Sequence, residues 1–195
     1  MDQGVGRVLD ALRTRGLDND TIVLFTSDNG PHKEGGADPE FFDSNGPLRG
    51  IKRDMYDGGI RVPMLVRWPG RVPAGRTSEI VWAHWDLLPT FSRLAGAAPP
   101  AGIDGVAMQD MLLGGQTNPA PDRTLYWEFH ERGFQRAARR GKWKAVWLAA
   151  GSPIELYDIE SDIGETTNIA TAHADIVRQF ETFFATARTP SEHWP

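Results

Sequence analysis

Thr21-Ile22-Val23-Leu24-Phe25-Thr26-Ser27-Asp28-Asn29-Gly30 is the stretch on which the reading of this chain turns: an apolar run ending in two oxygen-bearing side chains and a glycine. A continuous apolar run closed by turn formers predicts a strand over 21–26, of the kind covered on both faces of a sheet. A carboxylate and an amide just past a strand end are hard oxygen donors suited to a hard cation. The alternative is an ordinary turn, which Asp-Asn-Gly also makes readily.

Upstream, Val5, Val8, Leu9 and Leu12 recur at helical spacing, and Gly16 follows Arg13 and Arg15, so a helix is predicted over 2–15. Helix then strand is half of an α/β repeat. Downstream, residues 31–47 are rich in Gly, Asp, Asn and Pro with no period, which predicts a long loop, and long loops in compact domains tend to be functional. Residues 61–68 read as a second strand closed by Pro69-Gly70, residues 80–82 as a short third, and 86–94 as a helix capped by Asp86. Two polar, Gly- and Pro-containing passages then place a boundary near Asn118, with 1–117 as part of an α/β domain and 118–195 as a small subdomain. Within the subdomain, 124–129, 134–138, 142–148 and 154–157 predict short antiparallel strands. Ile176, Val177, Phe180, Phe183 and Phe184 predict a closing helix over 172–187.

Composition narrows the classes. With 195 residues, 40% hydrophobic and 24% charged, the chain has enough apolar material for an ordinary folded core. A net charge of -5 with dispersed basic residues argues against a nucleic-acid partner. No apolar run approaches the roughly 20 residues that span a bilayer, and Asp2-Gln3-Gly4 does not open a leader, so neither a membrane span nor an export signal is expected. The absence of cysteine removes disulfides and thiolate metal ligands but leaves the compartment open.

The succession of motifs then carries more than any one of them. Thr26-Ser27-Asp28-Asn29-Gly30, Leu48-Arg49-Gly50-Ile51-Lys52, Tyr56-Asp57-Gly58-Gly59-Ile60-Arg61-Val62-Pro63, Trp68-Pro69-Gly70, Asp86-Leu87-Leu88-Pro89-Thr90 and Glu155-Leu156-Tyr157-Asp158 with Glu165 and Asn168 resemble, in order and spacing, the type I sulfatases, the arylsulfatase-like group of the alkaline phosphatase superfamily. The resemblance implies a partial alkaline-phosphatase-like α/β sheet sandwiched by helices, followed by a small antiparallel sheet with a C-terminal helix. It also implies hydrolysis of sulfate esters. Asp28 and Asn29 match two ligands of a divalent cation, usually Ca2+ and in some members Mg2+. Lys52, one of four lysines, matches the lysine that contacts sulfate oxygens.

Around these, His32 reads either as a sulfate or sugar contact or as a locally bonded loop histidine, and Arg49 and Arg53 either as sources of positive potential or as structural ion-pair partners. Gly58 and Gly59 read as backbone devices for a sharp turn, and Arg61 as the partner of a carboxylate beneath the sheet. Trp82, His84 and Trp85 read as core or rim, and His130, Glu131 and Arg132 as a solvated hairpin tip. Relatives are often periplasmic or secreted.

The family's nucleophile is a formylglycine made in a Cys/Ser-x-Pro-x-Arg motif, and this sequence has no such motif. The strand over 21–25 also matches a late strand of the family's sheet. The sequence therefore reads as the C-terminal portion of a sulfatase, with Met1 an internal methionine or a truncation edge. On that reading the parent protein acts on a sulfated small molecule or glycan while the isolated chain turns over negligibly. Two competitors stay open: a phosphodiesterase or phosphonate hydrolase of the same superfamily, and a non-catalytic remnant that binds anionic glycans.

Overall fold

The computed structural model describes residues 1–131 and 133–192, so Arg132 of the expected hairpin tip lies outside the described residues. In chain order the elements are α1 (Asp2–Thr14), β1 (Val23–Thr26), α2 (Asp57–Ile60), β2 (Met64–Arg67), α3 (Leu87–Leu94), α4 (Gln109–Leu112), β3 (Thr124–Phe129), β4 (Gln135–Arg140), β5 (Trp143–Trp147), β6 (Glu155–Asp158) and α5 (Ala174–Thr186). They form two compact units: residues 1–26 with 63–121, and residues 27–62 with those from 122 onward.

In the first unit, α1 carries Asp2 in its first turn and Arg13 in its last, each of the sign that complements the helix dipole. It stops where Gly16 takes a left-handed φ of 68°, so that the Gly16 and Leu17 amides donate back to the Arg13 and Leu12 carbonyls at 3.1 and 2.9 Å. β1 is shorter than the apolar run suggested, and it pairs antiparallel with β2, Phe25 facing Leu65. Those two residues are 38% and 61% exposed, so the expectation of a strand covered on both faces does not hold here. The expected strand over 80–82 is not formed either. Ile80 gives its N–H to the Ser78 hydroxyl at 3.2 Å, a local bond that competes with a ladder.

Asp86 does not cap α3 through its side chain as expected. Its carboxylate is fully buried and accepts the Ala83 amide at 2.8 Å and the Val106 amide at 2.9 Å, tying a distant loop to the helix start. Trp82 is half-buried, whereas His84 and Trp85 are exposed.

Arg67 forks onto Asp18 with two bonds of 2.7 Å, and this partner holds the Asp18 carboxyl below the usual carboxylate range against a smaller effect of burial. A depressed folded value means stabilisation that is present above the unfolded value of about 3.9 and lost as pH falls through the folded value. Asp18→Asn is therefore expected to lower Tm slightly at pH 7 and less at pH 2, read by circular dichroism melts. An equal deficit at both pH values would remove the ion pair from the explanation.

The second unit is built on an antiparallel sheet of order β3-β4-β5-β6, as the strand-and-turn pattern predicts. Alternation sends Ala138, Ala145 and Leu156 to one face, where Phe180 and Phe184 of α5 cover them, and Ala137, Val146 and Tyr157 to the other, where Met55 and Tyr56 pack. Burying each phenylalanine contributes about 1.5–3 kcal/mol. The sheet is thus covered on both sides, by its closing helix and by the segment that precedes α2.

Candidate active site

The chain leaves β1 and turns at once: the Ser27 hydroxyl donates to the Asn29 carbonyl at 2.8 Å, and the Asn29 Nδ2 donates to the Gly30 carbonyl at 2.9 Å. The turn reading of Asp-Asn-Gly is therefore correct as local structure. It leaves the Asn29 amide oxygen uncommitted, and the Asp28 carboxylate, which is exposed, has no partner among the described residues.

Backbone bonds then draw the other motifs to this turn. Gly30 donates its amide to the Gly59 carbonyl and Lys52 donates its amide to the Pro31 carbonyl, both at 2.9 Å. Gly58 donates to the Arg49 carbonyl at 2.7 Å. The three sequence motifs thus meet as one backbone platform, with Lys52 half-buried on it. Gly30, Gly58 and Gly59 make this possible, the last two for a reason other than the sharp turn expected of them. None has positive φ, but a Cβ at Gly30 would lie 1.8 Å from the Gly58 oxygen, and one at Gly58 2.1 Å from the Gly50 oxygen.

His32 is bonded within its loop: Nδ1 accepts the Glu34 amide at 2.9 Å and Nε2 lies 2.6 Å from Arg53 Nη1. Arg53 holds a left-handed φ of 78°, uncommon for a residue other than glycine, and also binds Glu131 at 3.0 Å and Glu34 at 3.5 Å. Arg49 faces inward partners. Its Nη1 donates to the Tyr157 hydroxyl at 3.0 Å and the Glu165 carbonyl at 2.9 Å, and its guanidinium lies 3.7 Å from the Tyr56 ring centroid. Burial and a hydrogen bond to Glu155 push the Tyr157 hydroxyl up to about 12, so it acts as a neutral donor throughout the physiological range.

One cluster escaped the sequence reading. Lys144, fully buried on β5, gives Nζ to Asp57 Oδ1 at 2.5 Å and lies 3.0 Å from Glu165 Oε1, while Glu165 Oε2 accepts the Asp57 amide at 2.6 Å. Arg61 lies 3.7 Å from the other Asp57 oxygen, the buried carboxylate expected for it. A signal existed: within the predicted strand over 142–148, Lys144 shares its face with Val146, so a lysine occupies an inward position.

Asp28 and Asn29 fit a divalent cation by donor chemistry, one anionic and one neutral oxygen, both uncommitted. They fit it only in part by number, because calcium takes roughly six to eight oxygen ligands. Among the described residues no group of three or more His, Cys, Asp or Glu is placed to hold a metal.

Comparison with known proteins identifies the family. The sulfatase family profile matches residues 1–97, and the profile of the N-sulphoglucosamine sulphohydrolase C-terminal region matches residues 50–188. N-acetylgalactosamine-6-sulfatase of Canis lupus familiaris is 33% identical over 205 aligned residues, which cover 100% of this chain and 37% of that protein. The crystal structure of Ps i-CgsB in complex with k-i-k-neocarrahexaose superposes with a TM-score of 0.80 at 33% identity, over 93% of this chain and 40% of that one. The phosphonate monoester hydrolase of Agrobacterium radiobacter superposes with a TM-score of 0.69 at 27% identity, over 95% of this chain and 38% of that one. The chain spans about a fifth to two fifths of the length of the relatives it matches. Profile matches along nearly the whole sequence, a relative aligned end to end and the motifs joined on one platform lead to one assignment: this chain belongs to the sulfatase family.

Proposed function

We propose that the protein to which this chain belongs hydrolyses sulfate esters, with Lys52 as the cationic contact to the ester's sulfate oxygens. What supports the reading most is the pair of backbone bonds that bring the Asn29 turn and Lys52 onto one platform. Asp28 and Asn29 are the residues of this chain that would hold a divalent cation, calcium or magnesium, whose chemistry there is Lewis-acid polarisation of the bound ester. Lys52 stabilises negative charge as the S–O bond breaks, a compact ammonium suiting a tetrahedral anion gripped from one side. His32 and Arg49 are lesser candidates for substrate contact, since both already have internal partners.

The formylglycine nucleophile belongs to a motif this sequence does not contain, so the isolated chain is proposed to turn over negligibly. The sulfated-glycan class of substrate is favoured by the N-acetylgalactosamine-6-sulfatase relative. The likeness to a phosphonate monoester hydrolase keeps that chemistry as a second reading.

Turnover of 4-nitrophenyl sulfate and of a phenyl phosphonate monoester, compared in the complete protein, separates the two. Lys52→Ala there is expected to lower kcat on the sulfate by about a hundredfold to a thousandfold, the size of losing one oxyanion donor. Robust metal-dependent turnover by residues 1–195 alone would contradict the proposal, as would a Lys52→Ala protein of native rate.

A further inference from the structure

We propose that Lys144, Asp57 and Glu165 are positioning residues for the sulfate site, the ion triplet fixing from beneath the backbone platform that presents Lys52 and the Asn29 turn. The proposal rests on the sulfatase reading for its functional meaning and on geometry for its structural content.

Most of the ties run in one direction. Three side chains of the 49–57 segment end on the sheet face that Met55 and Tyr56 cover or on the turn after β6, while Arg53 ends on Glu131 in the β3-β4 hairpin. Arg49 reaches Tyr157 and the Glu165 carbonyl, Tyr56 reaches Glu155 at 2.7 Å, and Asp57 reaches Lys144. Glu165 meets the same segment twice, accepting the Asp57 amide through its carboxylate and the Arg49 guanidinium through its carbonyl. Its own φ of 50° is left-handed, a conformation a glutamate holds only where its surroundings over-determine it.

From Asp57 the platform is a short relay of backbone bonds: Gly58 to Arg49, Gly59 to Gly30, and Pro31 to Lys52. Close approach at the three glycines leaves this relay no slack. A shift at Asp57 is therefore passed on to Lys52, since interiors packed this tightly transmit displacement.

A merely structural buried ion pair would be content with hydrophobic replacement, as such pairs often are. This one orients its members instead. Lys144 is aimed by strand register at the segment rather than at α5; of the two carboxylates it meets, one belongs to Asp57 of the segment itself and the other, of Glu165, accepts the Asp57 backbone amide. Burial raises the Glu165 carboxyl above its ordinary value, and the Lys144 ammonium opposes that shift. Arg61 and Arg139 add positive potential around Asp57.

The test is amide hydrogen exchange by NMR on the 195-residue chain carrying Asp57→Asn, Lys144→Met and Glu165→Gln together, a charge-free set of similar shape. Exchange at Gly30, Lys52 and Gly58 is expected to rise about tenfold or more, while amides of the β3-β4 ladder stay within about twofold of native. Should the triple variant not fold, Glu165→Gln alone is expected to give the same ranking at about threefold. Unchanged exchange at the three platform amides overturns the proposal, and so does a uniform rise across the sheet, which would make the triplet a general stabiliser. In the complete protein the triple variant is expected to lose about tenfold to a hundredfold in kcat with less change in KM, as misplacement of a catalytic group does. A native protein inert towards every sulfate ester would end the sulfatase reading while leaving the exchange result to decide the positioning role.

Discussion

Gly58→Ala is expected to destabilise the chain by about 3 kcal/mol or more, at or beyond the upper end of ordinary overpacking. The added Cβ would stand 2.1 Å from the Gly50 oxygen and 2.4 Å from the Arg49 oxygen. Both obstacles are backbone atoms, so no rotamer change relieves them. Relief requires the 49–52 backbone to move away, and that movement breaks the Gly58 amide's bond to Arg49. Gly30→Ala is expected to behave alike, its Cβ falling 1.8 Å from the Gly58 oxygen.

The useful control is Gly4→Ala, inside α1 with nothing within 4 Å of the new methyl group, where alanine is expected to stabilise by about 0.5–1 kcal/mol. Urea unfolding at unchanged m-value reads all three. A Gly58→Ala midpoint within about 0.3 M of native would show that the platform can open without cost, and the argument for rigid presentation of Lys52 would go with it.

Lys144→Met is expected to cost about 3–5 kcal/mol, because it leaves two buried carboxylates facing one another without their shared cation. Neutralising Asp57 and Glu165 in the same chain is expected to restore most of that loss, since an uncharged triplet of similar shape has no desolvated charge to satisfy. The deficit of the single variant has a predictable pH dependence. Burial already raises the Glu165 carboxyl, and removing the lysine raises it further. A carboxyl whose folded value lies above its unfolded value of about 4.3 binds a proton on folding, so stability is gained as pH falls through the folded value and is complete below the unfolded one. The gap between Lys144→Met and native is thus expected to narrow on going from pH 7 to pH 4, measured as the difference in Tm. A gap that is constant across this range would mean that Arg61 and Arg139, not Lys144, neutralise the pair.

Local patterns were legible because they act over a few residues. The spacing of Val5, Val8, Leu9 and Leu12 gave α1, the turn-bounded runs gave β3 to β6, and Phe180 and Phe184 gave α5, all of them governed by short-range periodicity. The order of motifs carried the family and pointed to Asp28, Asn29 and Lys52. What periodicity could not reveal was pairing: β1 runs antiparallel to β2, and the role of Asp86 lies with Ala83 and Val106 rather than with its own helix. The glycines were misread for a related reason. In sequence a glycine signals backbone freedom, whereas Gly30, Gly58 and Gly59 are required by the space their neighbours leave.

The amino-acid order by itself determined the helical and strand periods, the exclusion of cysteine chemistry and the succession of motifs that carries the family. Tertiary structure alone decided that Lys144 meets Asp57 across 87 residues and that Glu165 meets Asp57 across 108, and so which buried charges have partners. The physical reason is range: propensity and patterning are summed over neighbours along the chain, while the cost of burying a charge depends on whatever the fold carries to within a few ångströms of it.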